Sequence, residues 1–274
     1  EFAVPPESLK ITGHVAARTL KRGLYEALVY DAKLTLSAGF KVDIGALADD
    51  SRVTLKQAFV AIGIADVRGI RSSPTLTWQK VPLQVQPGND YELIGNGVHA
   101  PLADLDPKRK ASYALTLTLD LIGTEQLHFS PVGKETRVAL TADWPHPSFG
   151  GRMLPSSREV RSDGFSAQWR TTWFATNMDR AFKAADAKAL FAQDFGVRFI
   201  QPVNPYQQTK RATDYGILFV ILVFTAFFLF EVVVGLRIHP MQYSLVGAAL
   251  ATFYLLLIAL SEHIDFLLAY AAAA

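Results

Sequence analysis

Few residues in this sequence stand at the spacings that a known catalytic or metal site requires. None of its six histidines lies at the HExxH spacing or beside a carboxylate in a metal-ligand pattern. Neither a G-x-S-x-G nucleophile elbow nor a phosphate-cradling P-loop occurs. The chain has no cysteine, which excludes a thiol nucleophile, a cysteine-ligated metal and a disulfide framework. We therefore expect a protein that is not an enzyme, with no catalytic residues, no metal site and no cofactor.

One glycine-rich run, residues 95–100, matches the spacing of a dinucleotide-binding loop. Such a loop works only when a strand precedes it and a helix N-terminus follows it to hold the pyrophosphate. Here Pro101 comes at once and no helical periodicity begins. The run is therefore interpreted as a glycine turn between strands.

The densest cluster of aromatic residues, prolines and glycines lies at residues 144–151 and directly follows a predicted strand. Prolines end a strand and stiffen the chain behind it, so a rigid recognition loop is one interpretation. Its candidate interaction residues are Trp144, His146, Ser148 and Phe149. The alternative is a structural corner that holds Trp144 and Phe149 in the core.

Glu231 is the one ionisable residue well inside a long apolar segment. A carboxyl group is costly in the hydrocarbon layer, so such residues are functional candidates by default. Glu231 lies six residues before Arg237, which is roughly 9 Å along a helix and within reach of the interface. We take it as a candidate intramembrane polar site, either for proton or ion handling or for a hydrogen bond to a neighbouring helix.

The elements that must position these residues fall into two parts, of which the first extends to about residue 211. Apolar and polar residues alternate with period two there, which is typical of strands with one buried face. Strands are predicted at residues 28–42, 58–64, 76–85, 113–121, 126–129, 138–144, 165–173 and 197–203. Turn residues rather than helices separate them, which favours antiparallel sheets in a sandwich-like arrangement. Trp169 and Trp173 are expected in the core, and one helix is expected at residues 177–193.

The second part, residues 212–274, is expected in the membrane. Residues 216–236 carry one charge and residues 243–261 carry none, and about 20 apolar residues cross a bilayer core. The short segment between them contains Pro240 and predicts a turn, hence a transmembrane α-helical hairpin. A third apolar run begins at Phe266 and stops at the last residue, and the chain starts without an initiator methionine or a signal-like segment. The chain is therefore expected to be a fragment.

Charge indicates on which side of the membrane the first part lies. Arg198, Lys210 and Arg211 precede the first span, but long domains translocate largely regardless of charge. Around the second span, the turn carries Arg237 and the far side carries only acids, which favours a cytoplasmic turn and a domain on the opposite side. The net charge of +2 is too small to indicate a nucleic-acid partner, so the lipid bilayer is the first expected partner.

Several ordered blocks of residues resemble a known family. They are residues 66–70, 97–99, 144–149, 154–155, 158–160, 164–165, 168–169, 173–175, 227–231, 239–243, 255–257 and 261–263. Over nearly the whole chain they resemble the CreD family of bacterial inner-membrane proteins. The resemblance implies an N-terminal membrane helix, a large periplasmic domain and a C-terminal bundle of membrane helices. This chain departs from that pattern because the first membrane helix and most of the C-terminal helices are not in it.

The family is described as cell-envelope integrity proteins linked to colicin tolerance and to a two-component regulon, and it offers no catalytic residues to carry over. The resemblance implies an inner-membrane protein that supports envelope integrity or the stress response by binding envelope proteins or lipids. Two other functions stay open. A transporter or channel component would use an intramembrane carboxylate. An envelope hydrolase would need a convergent Ser/His/Asp or metal constellation, which carboxylates close to His99, His128 or His146 would indicate.

Overall fold

The computed structural model of the chain describes residues 3–22, 25–43, 57–88, 95–102, 110–176, 192–201, 205–235, 238–261, 263–264 and 266–274. Residue contacts divide the chain into two compact units. The first comprises Glu1–Arg18 and Leu28–Ile200, and the second comprises Thr19–Ala27 and Gln201–Ala274. The first unit is built mainly of strands and the second mainly of helices.

The strands of the described chain have the following bounds. They are β1 (Ser8–Arg22), β2 (Tyr25–Asp43), β3 (Ala58–Gly63), β4 (Thr75–Trp78), β5 (Val81–Leu83), β6 (Gln86–Pro87), β7 (Gly97–Leu102), β8 (Lys110–Thr124), β9 (Gln126–Phe129), β10 (Glu135–Ala142), β11 (Pro147–Gly151), β12 (Ser157–Val160), β13 (Phe165–Thr172) and β14 (Phe195–Phe199).

Among the described residues, eight strands form the largest sheet, in the order β12-β13-β10-β1-β2-β8-β4-β5. Strand β1 runs parallel to β10, whereas β10 and β12 are antiparallel to β13, and β2 and β4 are antiparallel to β8. The alternation read from the sequence sets the two faces. In β10, for example, Thr136, Val138, Leu140 and Ala142 are buried and the residues between them are not. One face of the sheet therefore lies on the core, and the other is polar and exposed.

Two smaller sheets, β11-β14-β9 and β3-β7-β6, contain the remaining strands of the described residues, and their strand pairs are antiparallel. Their inward side chains join those of the large sheet in one hydrophobic core. Ring contacts cross this core: the Phe165 and Phe199 centroids are 6.2 Å apart, and those of Trp169 and Phe195 are 5.8 Å apart. The expected mainly β, sandwich-like fold is confirmed, because sheets packed on a shared apolar layer form that architecture.

Two predicted strands differ in detail from the observed ones. The single strand expected at residues 76–85 is wrong, because Gln79 and Lys80 have φ angles of 51° and 67°. Two such residues make the chain turn back on itself, so β4 and β5 form a hairpin. The strand expected to reach Trp173 ends at Thr172, and Trp173 begins the short helix α1 (Trp173–Thr176). Trp169 is 3% exposed and lies in the core as expected, while Trp173 is only partly buried.

Strands β1, β6, β7, β11 and β12 have no counterpart among the predicted strands. For β1 and β7 the reason is visible in their glycines. The inward positions of β1 include Gly13 and Ala17, which weaken the apolar signal of alternation. Strand β7 begins at Gly97, inside the run interpreted as a turn. A side chain at Gly97 would lie 2.0 Å from the Ile62 carbonyl oxygen, so this glycine permits a close strand approach. Its backbone forms a ladder with β3 rather than a phosphate-binding loop.

The second unit contains the helices α2 (Pro205–Val234), α3 (Pro240–Ser261) and α4 (Phe266–Ala273). Among the described residues, two helices are long and apolar enough to cross a membrane: the 21 residues Asp214–Val234 within α2, and the 22 residues of α3. At 1.5 Å per residue these measure about 32 Å, close to the ~30 Å of a hydrocarbon core. The two expected apolar helices are confirmed, and the third apolar run forms α4. Of the helix expected at 177–193, residues 177–191 lie outside the described residues.

Candidate functional site

The predicted interaction loop is divided between a short connection and strand β11. Trp144 and His146 precede the strand, and Ser148 and Phe149 lie within it. Strand β11 pairs with β14, with Ser148 opposite Arg198 and Phe149 opposite Val197. Because neighbouring residues of a strand point to opposite faces, the four candidate residues do not share one surface.

Trp144 and Phe149 point inward and anchor this segment to the core. The Trp144 indole N–H donates to the Ile200 carbonyl oxygen at 3.0 Å, and the ring is partly buried against the core. The Phe149 ring meets Phe165 and Trp169 edge-on, with centroids 5.4 and 5.8 Å apart. Aromatic pairs in this geometry contribute about 0.5–1.5 kcal/mol beyond area burial. These two side chains therefore fix where β11 lies.

The outward side of this small sheet carries polar side chains in register across three strands. Ser148, Arg198 and Gln126 form one row, from β11, β14 and β9. In the adjoining row, Gly150 and Gly196 lie beside His128. The exposed residues His146 and Ile200 flank these rows and are joined by a backbone hydrogen bond of 3.0 Å. We call this surface the Ser148 face and define it by His146, Ser148, Gln126, His128, Arg198 and Ile200.

On the Ser148 face, the charged side chain of Arg198 lies beside two glycines, Gly150 and Gly196, which have no side chains. Arg198 is exposed, and no carboxylate of the described residues forms an ion pair with it. A Cβ at Gly196 would lie 2.1 Å from the Leu127 carbonyl oxygen, so β14 and β9 approach closely only because residue 196 is glycine. Gly150 is open to the surface. The face therefore offers a shallow strip bordered by a guanidinium, a hydroxyl and an imidazole.

His128 lies beside a carboxylate at the edge of this face. Its Nδ1 is 3.0 Å from Asp194 Oδ2, and the two side chains are 25% and 42% exposed. The sequence did not indicate this pair, because the residues are 66 positions apart and meet only through the pairing of β9 with β14. Among the described residues no group of three potential ligands for a metal ion occurs. His99, by contrast, has its Nδ1 2.9 Å from the Gly88 carbonyl oxygen rather than from a carboxylate.

A second histidine, which the sequence reasoning did not single out, lies in a chain of three polar groups on the large sheet. His14 Nδ1 is 3.2 Å from Thr141 Oγ1, and His14 Nε2 is 3.3 Å from Asp143 Oδ2. The parallel pairing of β1 with β10 places His14 opposite Thr141. Hydroxyl, imidazole and carboxylate in this order can pass a proton from the hydroxyl to the imidazole. Here Thr141 Oγ1 also lies 3.3 Å from the Gly13 carbonyl oxygen, which competes for the hydroxyl proton.

Glu231 forms a hydrogen bond between the two long helices. The Tyr243 hydroxyl donates to Glu231 Oε2 at 2.8 Å, and the Phe224 ring stacks on Tyr243 with centroids 5.9 Å apart. Helix α2 ends only three residues later, at Val234, about 4.5 Å along the axis. The sequence placed the end of this helix near Arg237, six residues after Glu231. In the structure the helix ends earlier, because Gly235 takes a positive φ of 70° and terminates it.

The block at residues 66–70 has a visible structural role. Asp66 caps the short 3-10 helix Val67–Gly69 and forms a two-pronged pair with Arg68, at 2.9 and 3.0 Å. Hydrogen bonds from Arg68 hold the pKa of Asp66 below its ordinary value. Gly69 approaches the Ile122 backbone so closely that a Cβ would lie 2.4 Å from its carbonyl oxygen. This block therefore fixes the chain against β8.

Comparison with known proteins identifies related chains. The family model described as "Inner membrane protein CreD" matches residues 1–274. The protein named "Inner membrane protein CreD" from Escherichia coli (strain K12) is 41% identical over 266 residues, which is 97% of this chain. The chain spans 59% of the length of that relative.

Two solved structures show a distant likeness to this chain. A mutant of the M1 zinc metallopeptidase from Deinococcus radiodurans matches with a TM-score of 0.33 at 14% identity, covering 61% of this chain and 38% of that one. The unmutated metallopeptidase matches with a TM-score of 0.30 at 14% identity, covering 62% and 39%. Because both TM-scores are low, these likenesses carry no argument about fold or activity.

Proposed function

Since the chain belongs to the CreD family of inner membrane proteins, we propose that it supports the integrity of the bacterial cell envelope by binding an envelope component. The family match across residues 1–274 is the observation that carries this proposal. The two helices long and apolar enough for a membrane agree with it. On this proposal the β-rich unit binds envelope proteins or lipids and is not an enzyme, and envelope stress is the condition in which the protein acts.

The β-rich unit lies in the periplasm on this proposal, and the turn between α2 and α3 lies in the cytoplasm. The support is the charge pattern: Arg237 stands in that turn and acidic residues follow the second span. Because the chain contains no cysteine, single cysteines can report its topology without background. The exposed residues Ser73 and Gln242 are suitable positions, one in the β-rich unit and one at the start of α3.

The topology test uses Ser73→Cys and Gln242→Cys in the full-length protein in intact cells, with a maleimide that cannot cross the inner membrane. We expect Ser73→Cys to react before lysis and Gln242→Cys to react only after lysis. The reverse pattern would place the β-rich unit in the cytoplasm and overturn the envelope-facing proposal.

The Ser148 face is the proposed contact surface. Its support is the exposed Arg198, which no carboxylate of the described chain pairs with, beside Ser148 and between the two imidazoles of His146 and His128. Cationic and hydroxyl groups of this kind suit acidic groups on an envelope protein or lipid. Trp144 and Phe149 support the surface from below because they pack against the core.

The test of this surface combines Arg198→Gln with His146→Ala in the full-length protein. The matched control is Arg161→Gln, which removes the same charge from an exposed arginine that pairs with Glu159. We expect the double variant to raise detergent sensitivity of the cells while its protein level stays unchanged, and the control to behave as wild type. Wild-type resistance with the double variant would remove this face from the proposal.

A hydrolase is the second candidate, because Thr141, His14 and Asp143 stand in the order of a nucleophile, a base and an orienting carboxylate. A fluorophosphonate probe, which labels activated hydroxyl nucleophiles, tests it on the full chain. Labelling that disappears in Thr141→Val would establish the hydrolase and refute the binding proposal. Absence of labelling in both proteins would count against the hydrolase, and equal labelling of both would place the reactive hydroxyl at a residue other than Thr141.

A transporter role for Glu231 finds less support in the geometry. Its carboxylate is engaged by Tyr243 about one helical turn from the end of α2, whereas transport sites lie near the bilayer midplane. We propose a structural role for the pair. Ion or proton flux through proteoliposomes that is lost in Glu231→Gln would contradict it.

A further inference from the structure

An open depression of about 390 Å³ lies on the exposed face of the large sheet, away from the Ser148 face. Strands β13, β10, β1 and β2, which are neighbours in the sheet, supply its side chains. At ~4.8 Å per strand, these four strands span roughly 14 Å. The side chains used below are Lys33, Thr35, His14, Thr141, Ser166 and Gln168.

Lys33 supplies the positive charge of the depression. It is exposed, and no carboxylate of the described residues forms an ion pair with it. Asp120 lies directly opposite on β8, but its carboxylate accepts a hydrogen bond from the Ser72 hydroxyl at 3.0 Å. A ligand carboxylate would therefore compete with no ion pair among the described residues for this ammonium group.

The remaining groups of the depression are uncharged donors and acceptors. The side chains of Thr35, Ser166 and Gln168 form no hydrogen bond within the described chain that would occupy them. Hydroxyl and amide groups both donate and accept, so they match the hydroxyl groups of a sugar. His14 is different, because Thr141 and Asp143 hold both of its ring nitrogens, and its ring is a fixed wall beside these groups.

The chemistry of the depression excludes other common ligands. One free ammonium is too little charge for a nucleic acid or a polyphosphate, which need several cations. An extended peptide would add to a sheet edge through free backbone groups, but the backbone here lies in the interior of the sheet. An apolar ligand would leave the hydroxyl, amide and ammonium groups of these side chains without partners.

We propose that this depression binds a carboxylate-bearing sugar. Lys33 pairs with the carboxylate, while Thr35, Ser166 and Gln168 form hydrogen bonds with the sugar hydroxyls, and His14 limits the orientation of the ring. The source of the sugar is either a free acidic monosaccharide or a unit of a glycan strand, since both present the same groups. The inference depends neither on the side of the membrane on which this unit lies nor on the role of the Ser148 face.

Ligand-observed NMR on the full chain in detergent micelles tests it, with sodium glucuronate, glucose and acetate as probes and an acidic disaccharide as the glycan arm. We expect glucuronate to bind about tenfold more tightly than glucose, because a charge-assisted hydrogen bond adds to the hydroxyl contacts. Tighter binding of the disaccharide than of glucuronate would assign the site to a glycan, and equal binding would assign it to the free sugar.

Lys33→Gln is the decisive variant, and Lys41→Gln is its matched control. Lys41 lies on the same strand and the same face, eight residues or about 26 Å away, and is exposed. Lys33→Gln should lower glucuronate affinity to that of glucose, and Lys41→Gln should leave it unchanged. Gln168→Ala should weaken both sugars alike.

Three results would overturn the inference. The first is that glucuronate does not bind at ~10 mM, a concentration at which even a millimolar site is occupied. The second is that acetate competes as well as glucuronate does, which would mean a simple anion site. The third is that Lys33→Gln and Lys41→Gln have the same affinity for glucuronate. Tryptophan fluorescence of each variant guards against misfolding, since all four tryptophans lie in the β-rich unit.

Discussion

Replacing Tyr30 with phenylalanine tests how the small sheet that carries the Ser148 face is held on the large one. Tyr30 lies on β2, is 5% exposed, and donates from its hydroxyl to the Gln126 carbonyl oxygen at the start of β9, at 2.7 Å. Its ring contacts Phe199 on β14, with centroids 5.2 Å apart. Tyr30→Phe keeps the ring but leaves the Gln126 carbonyl without this donor. Because Gln126 is exposed, we expect the loss of this hydrogen bond to cost about 0.5–1.5 kcal/mol of the free energy of unfolding.

The free energy of unfolding should depend on pH because the Tyr30 phenol is buried. Burial raises the pKa of Tyr30 from 10.0 to about 12. Because the folded pKa is above the unfolded one, the stabilisation is fully present below pH 10 and is lost as the pH rises toward 12. Halfway, at about pH 11, the unfolded phenol is ionised and the folded one is not, which costs about 1 kcal/mol. Tyr30→Phe lacks this titration, so its disadvantage relative to wild type should shrink by that amount.

Denaturant unfolding of the full chain in detergent measures both effects. Tryptophan fluorescence reports on the β-rich unit alone, because Trp78, Trp144, Trp169 and Trp173 all belong to it. The stability difference between wild type and Tyr30→Phe is measured at about pH 8.5 and again at about pH 11. Gly123→Ala is a control for steric disturbance of the Tyr30 side chain, because a Cβ at residue 123 would lie 2.2 Å from the Tyr30 hydroxyl oxygen. A difference that is zero at the lower pH, or that does not shrink at the higher pH, would refute the reasoning.

Three further predictions concern the anchors of the two candidate sites. Gly196→Ala should destabilise the β-rich unit by more than 2 kcal/mol, because the new methyl group would lie 2.1 Å from a carbonyl oxygen of β9; a thermal shift below about 2 °C would contradict this. Trp144→Phe should cost about 1 kcal/mol through the lost bond to the Ile200 carbonyl, and hydrogen exchange at the Ile200 amide should quicken. Tyr243→Phe and Glu231→Gln should each weaken the pairing of α2 with α3 by about 0.6–1 kcal/mol, because each removes the same hydrogen bond. The double variant should therefore lose no more than one single variant does. Cysteine cross-linking measures the pairing, and additive losses would count against a shared hydrogen bond.

Strand positions followed from the sequence wherever large apolar residues alternate with polar ones. The segments at β2, β8, β10 and β13 have this pattern, and most of their alternating apolar residues lie on the core, although Trp173 lies beyond the end of β13 and is only partly buried. The pattern failed where small residues occupy inward positions, as in β1 with Gly13 and Ala17. It failed also at Gln79 and Lys80, because neither residue type signals the left-handed backbone that makes β4 and β5 a hairpin.

The candidate sites divide in the same way. Residues 144–149 and Glu231 stood out through local composition. The residues that they contact in the structure did not stand out in the sequence. Arg198 is 50 residues from Ser148, and Tyr243 is 12 residues from Glu231. The chain of Thr141, His14 and Asp143 left no signal in the sequence, because His14 on β1 is 127 residues from Thr141 on β10 and meets it only through the pairing of these strands.

The sequence by itself determined the two-part character of the chain, the strand-rich fold of the first part, the two apolar helices and the family. All of these depend on periodicity, hydropathy and ordered local blocks, which are properties of neighbouring residues. Only the tertiary structure decided that Trp144 and Phe149 turn inward while Ser148 turns outward beside Arg198, and that the Tyr243 hydroxyl donates to the carboxylate of Glu231. It also placed Lys33 in a depression beside hydroxyl and amide groups, where no described carboxylate forms an ion pair with it. The physical reason is register. Pairing between distant strands or helices decides which side chains meet, and a shift of one residue would turn each strand's side chains to the other face.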